Sequence, residues 1–220
     1  MRPGWLLNLP CTEYQAALAL QWWLVEARQR GEAPETLILV EHPPVFTLGR
    51  RARREDIALS DAELARHGIA VCATNRGGLV TYHGPGQVVG YPIVRLRSLE
   101  RDVPGYVAGL QRLIAAALAD EGIEAGPRAG LPGVWTARGK IAAIGIAMVR
   151  GVTMHGFAVN LQPKLEHFAL INPCGLADLG VASAAQLLGR PVDPRRFRER
   201  LAWHFSAEFG IQLAEHSLAA

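Results

Sequence analysis

Residues 133–161 read GVWTARGKIAAIGIAMVRGVTMHGFAVNL, and this run decides the fold class. Its pieces GVWTA, KIAAIGIAMV and VTMHGFAVNL have strand-like composition and are cut by Arg-Gly pairs at 138–139 and 150–151. An Arg-Gly pair suits a tight reversal, because glycine reaches positive φ at no steric cost. The run therefore predicts a meander of antiparallel strands.

The same reading extends outward in both directions. ETLILVEHPPVFTLG is a strand, a Pro-Pro break and a second extended piece, and IAVCATN is a further strand. LVTYH and QVVGYPIVRL are two strands flanking GPG. Amphipathic helices are expected over 12–30, stopping near Gly31, and over 103–122. A Ser-x-x-Glu capping box opens SDAELARHG at Ser60, with Gly68 as its stop, and Asp193-Pro194 caps a last helix reaching about Phe209. Strands come in blocks broken by helices and do not alternate with them. The expectation is an α+β fold, with mixed or antiparallel sheets and flanking helices, in a single domain over residues 1–220.

Composition excludes several classes. No apolar run approaches the ~18 residues of a membrane span. The segment MRPGWLLNLPCTEYQ lacks the apolar core of a signal peptide, so a cytoplasmic location is expected, with no membrane partner. Cys11, Cys72 and Cys174 are scattered, with no CxxC pair, and the 7 histidines form no HxH or HExxH. Neither a disulfide framework, a metal site nor a cofactor is expected. A net charge of +3 is too small to argue for nucleic acid, and aromatics are not interleaved with the basic run. Of the 23 cationic residues only Lys140 and Lys164 are lysine. Lysine can release its proton and arginine cannot, so these two are worth inspecting.

Four stretches are candidates for chemistry. RGGLVTYHGPGQVVGYP, 76–92, carries glycines at 77, 78, 84, 86 and 90. Either it is a tight-turned hairpin, or its bare backbone lets a ligand come close. It fits neither a Rossmann fingerprint nor a Walker A loop. Lys140 opens a strand of small residues, Ala142, Ala143, Gly145 and Ala147. This is either a slot for an alkyl chain or a solvated lysine beside a turn. His155-Gly156 lines the same slot, or His155 is a hydrogen-bonded core histidine. Cys174, in INPCGLAD, is a reagent on a shaped loop or a small apolar side chain.

RGGLVTYHGPGQ, GKIAAIGI, HGFAVNL and NPCG, in this order and spacing, with EHPPVFTLGR earlier, resemble the lipoyl(octanoyl) transferase family. These are the octanoyl-acyl-carrier-protein:protein octanoyltransferases. The resemblance spans roughly residues 35 to 180. It implies the biotin/lipoate protein ligase catalytic fold. It implies that Cys174 holds the acyl group as a thioester and that Lys140 is paired with it. It places Arg76, Gly77, Gly78, Leu79, Val80, Thr81, Tyr82 and His83 along an acyl pocket, with Ala143, Ile144, Gly145, Gly156, Phe157 and Ala158.

The implied donor is octanoyl-acyl carrier protein. The implied acceptors are lipoyl domains of 2-oxoacid dehydrogenase complexes and the glycine cleavage H protein. His83 is a rival base to Lys140. Arg50, Arg51, Arg53 and Arg54 form either a docking patch for an acidic partner or a solvated basic loop. The alternative activity is an ATP-dependent lipoate or biotin-type ligase, which needs no acyl-holding cysteine.

Overall fold

A computed structural model describes residues 1–96, 99–172 and 180–217, and the side chains of all these except 99–102. The elements run β1 (Arg2–Cys11), α1 (Tyr14–Arg30), β2 (Glu35–Glu41), β3 (Val45–Leu48), α2 (Asp61–His67), β4 (Ala70–Ala73), β5 (Val80–His83) and β6 (Gln87–Ile93). They continue with α3 (Leu99–Ala119), β7 (Gly126–Arg128), β8 (Leu131–Thr136), β9 (Gly139–Val149), β10 (Val152–Asn160), α4 (Ala184–Leu188), α5 (Pro194–Phe209) and β11 (Ile211–Glu215). Short 3-10 turns occupy Arg54–Asp56 and Leu165–Leu170.

The meander forms as the turns predict. β8, β9 and β10 pair antiparallel within an 8-stranded sheet of order β11-β1-β2-β6-β10-β9-β8-β7. A 3-stranded sheet, β4-β3-β5, stands apart from it. Both sheets are mixed, since β1 runs parallel to β2 and to β11, and β3 runs parallel to β4. The α+β expectation holds.

Helix boundaries follow their local chemistry. α1 stops where Gly31 adopts a left-handed conformation. Ser60 and Glu63 close the capping box of α2 in both directions, an arrangement that stabilises a helix start by about 1 kcal/mol. Asp193 accepts from the Arg195 amide, with Pro194 as the first helical residue of α5. α3 differs from its expectation. It begins at Leu99, ahead of Pro104, and ends at Ala119, before the left-handed Gly122.

One face of the large sheet packs on α3 and α5 through Leu110, Ile114, Phe197, Leu201 and Phe205. The other face packs on α1 through Tyr14, Leu24 and Val25 against Val89, Tyr91 and Ala158. A third cluster, Phe46, Leu64, Val80 and Tyr82, closes the small sheet.

β5 and β6 do not pair with each other, so 80–93 is not a hairpin. β5 joins β3 in the small sheet and β6 joins β2 and β10 in the large one. The crossing is fixed at Gly86. Its amide donates to Glu41 Oε2 and its carbonyl accepts from the Leu161 and Gln162 amides. Its φ of 88° is open to glycine at little cost. The chain therefore steps from one sheet to the other across a single Gly-Pro-Gly, and the space between the sheets becomes available for a ligand.

Candidate active site

Lys140 is the second residue of β9 and lies opposite Trp135 of β8 in the sheet register. Its Nζ stands 4.7 Å from the centroid of the Trp135 ring. Burial pushes the ammonium pKa below the usual lysine value. The Lys140 backbone is clamped on both sides of Val181. Its amide donates to the Gly180 carbonyl at 3.2 Å, and its carbonyl accepts from the Ala182 amide at 3.0 Å.

The lysine opens on a cavity of about 90 Å³. Val80 and Thr81 of β5, Ala143 of β9 and Ala158 of β10 form its walls, with Phe168, Ile171, Gly180 and Val181 at the side. Ala143 and Ala158 face each other across the ladder, and two methyl groups leave room where larger side chains would close it.

Gln87 and Asn160, a cross-strand pair of β6 and β10, supply its polar wall. Gln87 Nε2 donates to the Tyr82 carbonyl at 3.1 Å and to Asn160 Oδ1 at 2.9 Å. Asn160 Nδ2 donates in turn to the Ala182 carbonyl at 3.1 Å. The remaining Gln87 Oε1 accepts from His83 Nδ1–H at 3.2 Å, a tautomer that leaves His83 Nε2 unprotonated.

A second cavity of about 50 Å³ shares Thr81, Ala143 and Ala158 with the first. Arg76, His83, His155, Tyr14 and Tyr91 supply its polar groups, among apolar walls that include Val89, Ile144 and Phe157. Arg76 is buried, and its guanidinium meets only neutral acceptors in its hydrogen bonds. It donates to the Thr47 carbonyl at 2.6 Å, to Thr47 Oγ1 at 2.8 Å and to the Gly77 carbonyl at 3.1 Å.

This buried cation helps keep its neighbours neutral. Burial and the charge on Arg76 bring His155 down to about 4. Burial, then His42 and Arg76, push His83 well below the ordinary histidine value. His155 holds φ at +56° within β10, while its amide donates to Gln21 Oε1 at 2.8 Å and its Nε2 meets Asn75 Oδ1 at 2.6 Å. Those two bonds hold a backbone conformation that costs a non-glycine residue of order 1 kcal/mol or more. The next residue must be small for another reason: a Cβ at Gly156 would overlap the Gly90 carbonyl of β6.

Most residues singled out from the sequence converge here. Val80 and Thr81 line the first cavity, and Ala143 and Ala158 line both. Arg76, Thr81, His83, Ile144, Gly145, Gly156 and Phe157 line the second. Gly77, Gly78, Leu79 and Tyr82 line neither of these cavities. The Gly77 amide donates to the Ile146 carbonyl at 2.8 Å, the Gly78 and Leu79 carbonyls accept from Arg51 and Gly49, and Tyr82 packs in the third core.

His83 is in the second cavity, apart from the wall that holds Lys140. His155 lines the second cavity and not the one that holds Lys140, and its amide and both ring nitrogens have hydrogen-bond partners. Cys174 lies outside the described residues, within 173–179. The residues to either side, Ile171 and Gly180–Val181, border the first cavity beside Lys140. Trp135, Gln87, Asn160, Tyr14 and Tyr91 went unassigned from the sequence. Among the described residues no group of three or more His, Cys, Asp or Glu could hold a metal ion. Among them, too, no helix is long and apolar enough to cross a membrane.

The fold has known counterparts. It superposes on lipoate-protein ligase A bound with ATP at a TM-score of 0.82, with 17% identity, covering 99% of this chain and 90% of that one. It superposes less closely on the biotin protein ligase of Aquifex aeolicus, at 0.55 and 11% identity over 96% of this chain and 70% of that one. The fold is therefore the one that these lipoate and biotin protein ligases share.

The chain belongs to the lipoyl protein ligase A/B catalytic domain family, whose model matches residues 13–206. It is 47% identical to an octanoyltransferase of Alkaliphilus metalliredigens over 96% of this chain and 97% of that protein. It is 46% identical to an octanoyltransferase of Solibacter usitatus over 100% of both.

Proposed function

We propose that this acyltransferase moves an octanoyl group from octanoyl-acyl carrier protein to a lysine of a lipoyl domain, by way of a thioester on Cys174. The observation that carries the mechanism is the backbone clamp at Lys140. The lysine reaches into the cavity from β9, and its own peptide groups hold Gly180 and Ala182, just after the stretch that contains Cys174.

In the first half-reaction the Cys174 thiolate attacks the donor carbonyl carbon. The bond to the carrier sulfur breaks, and Lys140 gives its proton to the departing thiolate. One thioester replaces another, so the step is close to neutral in energy and needs no ATP. In the second, the acceptor amine attacks acyl-Cys174, Lys140 takes up the amine proton, and the amide forms as the Cys174 thiolate leaves. A lysine whose pKa is lowered by burial suits both proton transfers better than a solvated one. The neutral His83, held by Gln87, orders the wall of the slot in this reading and is not the base.

Incubation with octanoyl-carrier protein and no ATP, followed by intact-mass measurement, tests the proposal. One octanoyl group is expected on the wild-type chain and none on Cys174→Ala. Product formation from free octanoate and ATP by both proteins would point to a ligase instead.

The basic loop supports docking of an acidic carrier beside this site. The Arg50 and Arg51 amides bond the carbonyls of Arg76 and Gly78, and the Asp56 carbonyl accepts from the Asn172 amide at 2.7 Å. Arg54 is engaged by Asp61, whereas Arg50, Arg51 and Arg53 are exposed. Replacing those three with serine is expected to slow transfer and flatten its salt dependence, and an unchanged rate at low salt would remove the docking role.

A further inference from the structure

Trp135 plays no part in the reaction drawn above, yet its ring lies 4.7 Å from Lys140 Nζ, within the ~6 Å over which an aromatic face attracts a cation. The β8–β9 register sets the two residues opposite each other, so both side chains leave the same face of the sheet. The ring is only 5% exposed, which strengthens the attraction by removing water from between the partners.

The surroundings give the ammonium little else. Lys140 is the one ionisable group among the described residues that line the first cavity. The other charge at the indole is a cation, Arg128, whose Cζ is 5.7 Å from the ring centroid. Cys174 and Asp178 fall in the stretch outside the described residues.

We propose that the π face of Trp135 holds the Lys140 ammonium charged and in place at the cavity wall, making Trp135 a positioning residue for acyl transfer. Burial alone drives the group toward the neutral amine, and the electron-rich ring offsets part of that. The contact is read from geometry. Its catalytic consequence rests on the role proposed for Lys140.

Because the chain has only two lysines, Lys140 and Lys164, its side-chain titration can be followed directly by NMR on ¹³C-lysine-labelled protein, with Lys164→Arg for assignment. Tryptophans carrying increasing numbers of fluorines keep the ring's shape and drain its π face. Among the described residues Trp135 is the only indole with a cation over it.

The expected result is a stepwise fall of the Lys140 midpoint, by about one pH unit across the series, with Lys164 unmoved. The pH–rate profile of octanoyl transfer is expected to shift with it, and Trp135→Phe to fall between wild type and Trp135→Leu. A Lys140 midpoint that stays fixed across the fluorinated series overturns the proposal. A midpoint that falls while the rate profile stays put overturns the role in the reaction and, with it, the assignment of Lys140 as the proton carrier.

Discussion

Replacing Lys140 with arginine keeps a positive charge at the cavity but removes a proton that can be given up and taken back. The expected cost is about 10²- to 10⁴-fold in the acyl-transfer rate, with the Cys174 adduct still forming slowly, as read by stopped reactions and intact mass. His155 carries a second prediction at this scale. Its pKa is about 4 in the folded chain, against 6.5 for the unperturbed group. As pH falls through 6.5, the unfolded chain takes up a proton that the folded chain refuses until about 4. Stability present above pH 6.5 is therefore lost progressively toward pH 4, by about 3 kcal/mol from this residue alone. Urea unfolding over that range is expected to show the loss, and a steeper fall would report His83 as well.

Lys140 stood out in the sequence because lysine is so rare in it. Trp135 did not, because an apolar residue in a strand reads as core until the register sets it beside a charge. Gln87 and Asn160 lay inside quoted motifs but acquire a role only when β6 and β10 align them.

The walls of the slot belong to elements. Ala143 and Ala158 are small, opposed across β9 and β10, and shared by both cavities. Valine at 143 is expected to narrow the passage and shift preference from octanoyl toward shorter donors. Each methylene excluded is worth about 0.8 kcal/mol, or roughly fourfold in relative kcat/KM, measured with donors of graded length.

The meander, both capping motifs and the left-handed glycine stops were legible because their signals are local. The separation of β5 from β6 was not. It depends on Glu41, distant in sequence, meeting the Gly86 amide. β1 was missed for a related reason. Pro3, Gly4 and Pro10 break its pattern, its exposure does not alternate, and its partners are all remote in sequence.

At the scale of the molecule, the fold class could be read from the order of strand blocks and helices, whereas the sheet order could not. Parallel pairing of β1 with β2 and β11 leaves no short-range trace. Deleting residues 211–217 removes Ile211 from the core and uncovers one side of β1. The truncated chain is expected to unfold at lower urea concentration and to associate through that open edge, as light scattering would register.

The pairing of Arg2 with Ile211 has a consequence during synthesis. β1 leaves the ribosome ahead of the other elements of this fold and gains its second neighbour, β11, only after all of them have been made. Until then a row of peptide donors and acceptors stays available to any passing strand. A nascent chain of this topology carries a lasting aggregation risk at β1.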